Sequence, residues 1–263
     1  MYIDTQVRCL VLNNEEIKKY ILKTYEIENV FFSDEEIKVI LKGDIKKMKK
    51  NIQKQNYFKW EDYFIDGTTV LKNIPGIKTK EELEIHEKQN SASKLVELCK
   101  KPINGDFDYN HLMQIHEYLF RDVYPWAGEI RTVGMSKNST DFCPPENIKN
   151  NLTATLSQAK EEVKSLKNKT ELSRFLAVLF YQLIYIHPFR EGNGRTIREF
   201  IRELTESLDF DFGSYVIDYS NINDSTLAMC MVGGYGMTSV FLAPEFMNAL
   251  MPIEKSKTKK AHI

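Results

Sequence analysis

Several features that would narrow this chain's class are missing. Cysteine is sparse, with four in 263 residues (Cys9, Cys99, Cys143 and Cys230), all widely scattered. No pair has the close spacing of a metal site, and nothing suggests a disulfide framework, so buried free thiols are expected. No apolar run approaches the ~20 residues that a membrane-spanning helix needs. The N-terminus has no basic-then-apolar leader pattern. The formal net charge is −1, so no broad field draws in nucleic acid. No internal repeat is visible. Together these absences point to a reducing cytoplasm, with no membrane and no direct nucleic-acid partner. What is present is ordinary: 42% apolar and 28% charged residues, the balance of a soluble globular protein. The length suits one domain of about 200 residues with appendages, or two small ones.

Helical periodicity dominates. From Leu172 to Ile186 apolar residues fall at 172, 175, 176, 179, 180 and 183, one face of a helix. Ile197, Ile201, Leu204 and Leu208 continue a second helical face. Asn13 with Glu16 opens an N-terminal helix expected to run to about Ile27, and Ser33 with Glu36 opens another that Gly43 stops. Residues 44–55 are lysine-rich and read as a short helix or a solvated connector. Aromatic residues from Tyr57 to Phe64 begin the main core, and helices are expected over 79–100, 108–120 and 146–167. His111 and His116 read as packing or surface residues rather than ligands. Pro125 to Gly128 breaks the pattern, and 129–142 reads as a short β-hairpin. Helices are expected again from 223 to about 251, interrupted near Gly233, and the basic tail 253–263 reads as disordered.

Between the two apolar faces of 172–208 lies the chemically loaded stretch His187-Pro188-Phe189-Arg190-Glu191-Gly192-Asn193-Gly194-Arg195-Thr196-Ile197-Arg198. A proline and two glycines break the helix, so the local order is helix, tight loop, helix. Gly192, Asn193 and Gly194 would present bare backbone N–H groups at the start of the second helix, a ready anion site. Arg195 and Arg198 share one face beside it, and guanidinium forks suit phosphate oxygens. Glu191 is placed to hold a hard cation such as Mg²⁺ against those phosphates. His187, at the end of the preceding helix, could act as a base across the loop. Phosphate cradle, metal carboxylate and base together read as nucleotidyl or phosphoryl transfer.

This stretch resembles the Fic family signature, His-Pro-Phe-x-(Asp/Glu)-Gly-Asn-Gly-Arg-x-x-Arg, at every specified position. Asp66 to Asn73 and Asp122 to Arg131 are similar to further segments of class I Fic toxins, so the resemblance covers roughly 57–250. It implies an all-α Fic fold with one small β-hairpin, and a protein adenylyltransferase that moves AMP from ATP to a Ser, Thr or Tyr hydroxyl of a target protein. By position, His187 would take the hydroxyl proton and Glu191 would hold Mg²⁺. Asn193 would meet the α-phosphate, Arg195 the β-phosphate and Arg198 the γ-phosphate. The flap, with Thr132, Val133, Gly134, Met135, Ser136 and Lys137, would clamp the target by strand pairing. Gly194 stands where phosphorylating Doc-type relatives carry lysine, which favours adenylyl transfer. In class I toxins topoisomerase subunits are targets. The partner implied here is therefore a hydroxyl-bearing protein, a topoisomerase subunit or the chain itself, with homo-oligomerisation left open.

Thr24-Tyr25-Glu26-Ile27-Glu28-Asn29 matches a second Fic pattern, (Ser/Thr)-x-x-x-Glu-(Gly/Asn), the inhibitory helix motif of Fic proteins and their antitoxins. Thr24 and Glu28 stand four apart and would share a helix face, with Glu28 pairing bidentately to Arg198. The resemblance implies antitoxin-like helices over 1–56, a class I-like Fic domain over 57–252 and a basic tail, with Thr24, Glu28 and Asn29 holding the enzyme off. Removal of AMP, transfer of another phosphate-linked group and a catalytically quiet binding module are the alternatives.

Overall fold

The computed structural model describes residues 12–28, 30–43, 57, 59–137, 140–223 and 238–253. Expectations for Asn29, the lysine-rich 44–55, the interruption near Gly233, the tail, Cys9 and Cys230 therefore lie outside the described residues.

The described chain is mostly helical, as its periodicity predicts. Helix α1 (Asn14–Glu26) starts at a capping box: the Asn13 side chain accepts from the Glu15 and Glu16 amides, and the Glu16 carboxylate accepts from the Asn13 amide. Ser33 and Glu36 do the same for α2 (Asp34–Lys42), which ends at Gly43 with φ of 75°. There follow α3 (Lys80–Lys100), α4 (Tyr109–Phe120), α5 (Pro145–Glu162), α6 (Lys169–Ile186), α7 (Asn193–Ser207) and α8 (Thr238–Ala249). The hairpin pairs β1 (Ser136–Lys137) with β2 (Thr140–Asp141), shorter than the expected 129–142. A second antiparallel ribbon, β3 (Tyr215–Ile217) with β4 (Leu250–Pro252), was not expected. It replaces the end of the predicted C-terminal helix, which stops at Ala249. Three-residue strands carry almost no alternation, and this pairing is remote in sequence, so no local signal announces it.

Helix α7 is the spine, and all fifteen of its residues are buried. It packs against α1, α4, α6 and β3. The face opposite Ile197, Ile201 and Leu204 is buried as well, and its charges are answered within the core. Arg202 pairs with Glu199 at 2.6 Å and Glu206 at 2.7 Å, Glu203 meets His111 at 3.1 Å, and the Tyr20 hydroxyl donates to Glu199 at 2.6 Å. Ion pairs of this kind satisfy desolvated charges more than they add stability.

Helix α1 joins the same core. Ile17, Ile21 and Tyr25 are sealed from solvent within one hydrophobic cluster shared with the helices that follow. Burying such side chains contributes roughly 1.5–3 kcal/mol each. Ile21→Ala should lower the unfolding free energy of the whole molecule by about 2–5 kcal/mol in urea titration. An unchanged main transition with a separate early one would show instead that α1 is an independent flap of chain.

Candidate active site

His187 and residues 190–195 line a cleft of about 1160 Å³, while Arg198 lies buried behind it. The cleft exceeds the ~300–1,000 Å³ typical of a single small-molecule site. Its wall brings together His187, Glu191, Gly192, Asn193, Gly194 and Arg195. Glu28 enters from the N-terminal segment, and Met135, Ser136 and Lys137 from the hairpin.

His187 ends α6 in a left-handed conformation (φ 46°, ψ 60°), unusual for a side chain with a Cβ. Its ring stacks on Phe142 at 3.8 Å, and Nδ1 lies 3.2 Å from the Ile184 carbonyl. A carbonyl can only accept, so Nδ1 carries the proton and Nε2 is left as the free acceptor. Burial, together with the Arg131 and Lys137 charges, lowers its pKa to about 3, so the ring is neutral.

Two buried residues that sequence reasoning passed over lock this corner. The Arg131 guanidinium donates to the carbonyls of His187 (2.8 Å), Val133 (2.6 Å), Cys143 (2.6 Å) and Ile186 (3.3 Å), tying the hairpin base to the loop that follows α6. His116, expected to pack or lie at the surface, accepts from the Gly128 amide at Nδ1 (2.8 Å) and donates from Nε2 to the Glu191 carbonyl (3.0 Å). Burial pushes its pKa down to about 3. Neither role has a local signature, since each depends on carbonyls supplied by distant segments.

The N-terminus of α7 lacks a side-chain cap at Gly192, so its first N–H groups face the cleft with the positive end of the helix dipole. A Cβ at Gly192 would fall 2.3 Å from the Phe120 ring, and Gly192 itself sits at φ 79°. The Asn193 side chain does not face the cleft as a free phosphate ligand. Its oxygen accepts from the Phe189 amide at 2.8 Å and its nitrogen donates to the Phe189 carbonyl at 2.7 Å, so it braces the loop.

Glu28 lies just past the end of α1, in a turn closed by its amide on the Tyr25 carbonyl, rather than on the helix face shared with Thr24. Its two oxygens divide between two arginines: Oε1 stands 2.6 Å from Arg198 Nη2 and Oε2 stands 3.0 Å from Arg195 Nε. The contact is a bridge, not the bidentate pair expected with Arg198 alone. Burial works to raise the Glu28 pKa, but Arg195 and Arg198 outweigh it and hold the carboxyl below its usual range. The Thr24 carbonyl accepts a second bond from Arg198 Nη2 at 2.9 Å. Arg198 is fully buried, yet its Nε and Nη1 have no hydrogen-bond partner among the described residues. A Cβ at Gly194 would sit 2.7 Å from Glu28 Oε1, so glycine at this position leaves room for the bridge.

Glu191 is half-exposed at the cleft, and its Oε1 accepts from the Gly192 amide at 2.9 Å. Desolvation by the packed loop, then the nearby Glu87 charge, raises its pKa. No cluster of three or more metal-ligating side chains occurs among the described residues. A single carboxylate beside an anion site fits Mg²⁺, which commonly takes one or two carboxylates and completes its shell with water and phosphate. In the hairpin, Ser136 and Lys137 are exposed on β1, whereas Thr132 bonds to the Tyr57 carbonyl and Tyr63 hydroxyl. Val133 is buried, and Gly134 does not line the cleft.

A helical domain with a neutral histidine, a carboxylate and two arginines gathered around the start of one uncapped helix is the class that fold and site define. The Fic/DOC family pattern matches residues 106–204. The chain is 31% identical over 182 residues to the probable protein adenylyltransferase y4lH of Sinorhizobium fredii, covering 68% of this chain and 90% of that protein. It is 33% identical over 176 residues to the protein adenylyltransferase VbhT of Bartonella schoenbuchensis, covering 66% of this chain but 36% of that longer protein. Among solved structures, BepC of Bartonella tribocorum with bound AMPPNP superposes with a TM-score of 0.62 at 26% identity, covering 74% of this chain and 98% of that one. The chain belongs to the Fic/DOC family.

Both low-pKa histidines bind fewer protons folded than unfolded, where the value is about 6.5. Their contribution is intact above pH 6.5 and is lost as pH falls towards 3. Unfolding free energy should therefore decline below pH 6.5. The NMR signals of the two rings should stay neutral from pH 8 to 5, and a midpoint near 6.5 for His187 would contradict the buried, Ile184-bonded ring.

Proposed function

We propose that this protein transfers AMP from ATP to a hydroxyl of a target protein, and that Glu28 holds it off at rest. The observation that carries the reading is the Glu28 bridge, which places a carboxylate on both arginines beside an uncapped helix N-terminus. The unpartnered Nε and Nη1 of Arg198 are donors suited to phosphate oxygens. The relatives named protein adenylyltransferase and the AMPPNP-bound neighbour support the same chemistry.

In this reading the target's Ser, Thr or Tyr oxygen bonds to the α-phosphorus and its proton passes to His187 Nε2. The bond from the α-phosphorus to the bridging oxygen breaks, and pyrophosphate leaves with the electron pair. His187 is a weak base at rest, and an arriving triphosphate would raise its pKa by opposite charge. The amides of 193–195 and the side chains of Arg195 and Arg198 bind and orient the phosphates. Magnesium on Glu191, when bound, supplies further charge neutralisation. The exposed edge of Ser136 and Lys137 would align the target segment by backbone pairing. The target is assigned to the hydroxyl-bearing proteins of the bacterial cytoplasm, a topoisomerase subunit or the chain itself.

Glu28→Gly should raise incorporation of labelled AMP, on itself or in lysate, at least tenfold, and Glu28→Gly/His187→Ala should return it to background. A parent already as active as Glu28→Gly would overturn the resting-off reading.

A further inference from the structure

The Glu28 bridge leaves one strong contact of Arg195 unexplained. Arg195 Nη1 also lies 2.5 Å from Oε1 of Glu87, on α3, and donates to the Ser91 hydroxyl one turn later at 3.1 Å. The other Glu87 oxygen accepts from the buried Tyr124 hydroxyl, so the carboxylate is fixed at both ends. Glu87 and Arg195 are both largely buried. The two arginines therefore differ. Among the described residues Arg198 has one carboxylate partner, Glu28, and its neighbouring Thr24 carbonyl also comes from the inhibitory segment. Arg195 has carboxylate partners outside the inhibitory segment, Glu87 at 2.5 Å and Glu191 at 3.7 Å.

We propose that Glu87 is a positioning residue for Arg195: it holds the guanidinium at the mouth of α7 in the released state, aligned for the polyphosphate. This rests on the adenylyl-transfer reading. Two consequences follow. A fixed guanidinium needs no reorganisation when charge develops on the leaving phosphate, which favours the transfer step over ground-state binding. A carboxylate beside the phosphate site also opposes nucleotide binding, so removing it should tighten binding while slowing transfer. A residue that merely supports the fold would weaken both.

The test uses the full chain carrying Glu28→Gly, with and without Glu87→Ala, and the same pair again in an Arg195→Lys background. Glu87→Ala should cut the single-turnover rate of AMP self-labelling at saturating ATP at least tenfold, and the Kd for Mg·ATP by calorimetry should fall or hold. Glu87→Gln, which keeps the shape and an acceptor for Arg195, should recover part of the rate. In the Arg195→Lys background the Glu87 substitution should cost less than threefold, because its effect passes through the guanidinium. Equal losses in both backgrounds, an unchanged rate, or weaker ATP binding alongside a slower rate would each overturn the proposal. Should Glu28→Gly with Glu87 intact transfer no AMP, the adenylyl reading fails. The affinity measurement still judges Glu87 then, since an ATP affinity weakened by Glu87→Ala sinks the positioning role.

Discussion

A guanidinium taken out of water must be answered by an anion, and two of them at the mouth of α7 set the terms for everything around them. Arg195 and Arg198 are held where a helix begins without a cap, so helix dipole and side-chain charge add. In the structure the answer comes from Glu28, Glu87 and, at 3.7 Å, Glu191. In the proposed active chain it comes from phosphate oxygens. In that proposal, protein carboxylate and nucleotide phosphate compete for the same desolvated donors.

How the Glu28 carboxylate would yield in the proposed switch follows from where it is attached. Helix α1 is nailed down by Ile17, Ile21 and Tyr25, whose exposure would cost several kcal/mol together. Glu28 sits beyond the helix end, in a turn held by hydrogen bonds to the Tyr25 carbonyl. Withdrawing the carboxylate requires reshaping that turn, while pulling the helix away requires opening the core. The smaller movement is the cheaper one. Gly194 fits this economy of space, since any side chain there would push on the Glu28 oxygen.

Much of the architecture was legible in the residues. The capping boxes at Asn13 and Ser33 placed α1 and α2 to within a residue, because caps are local hydrogen-bond chemistry. The loop 187–198 announced an anion site because glycine, charge and helical spacing sit within one short stretch. The β3–β4 ribbon was missed because pairing between Tyr215 and Pro252 leaves no trace in either segment alone. The Fic resemblance implies Asn193 at the α-phosphate, whereas the fold spends its side-chain amide on Phe189.

The sequence by itself determined the helical class, the family pattern and the set of charged groups that meet at the cleft, because those depend on periodicity and on residues close together in the chain. Only the tertiary structure decided how the charges are shared. Glu28 bridges two arginines instead of gripping one, Glu87 reaches Arg195 from a helix more than a hundred positions away in the chain, and Arg131 gathers the carbonyls that hold His187 in place. Each of these is a contact between segments that meet only after the core has closed. Which oxygen faces which nitrogen is set by the packing of α1, α3 and α7, and no spacing rule along the chain encodes it.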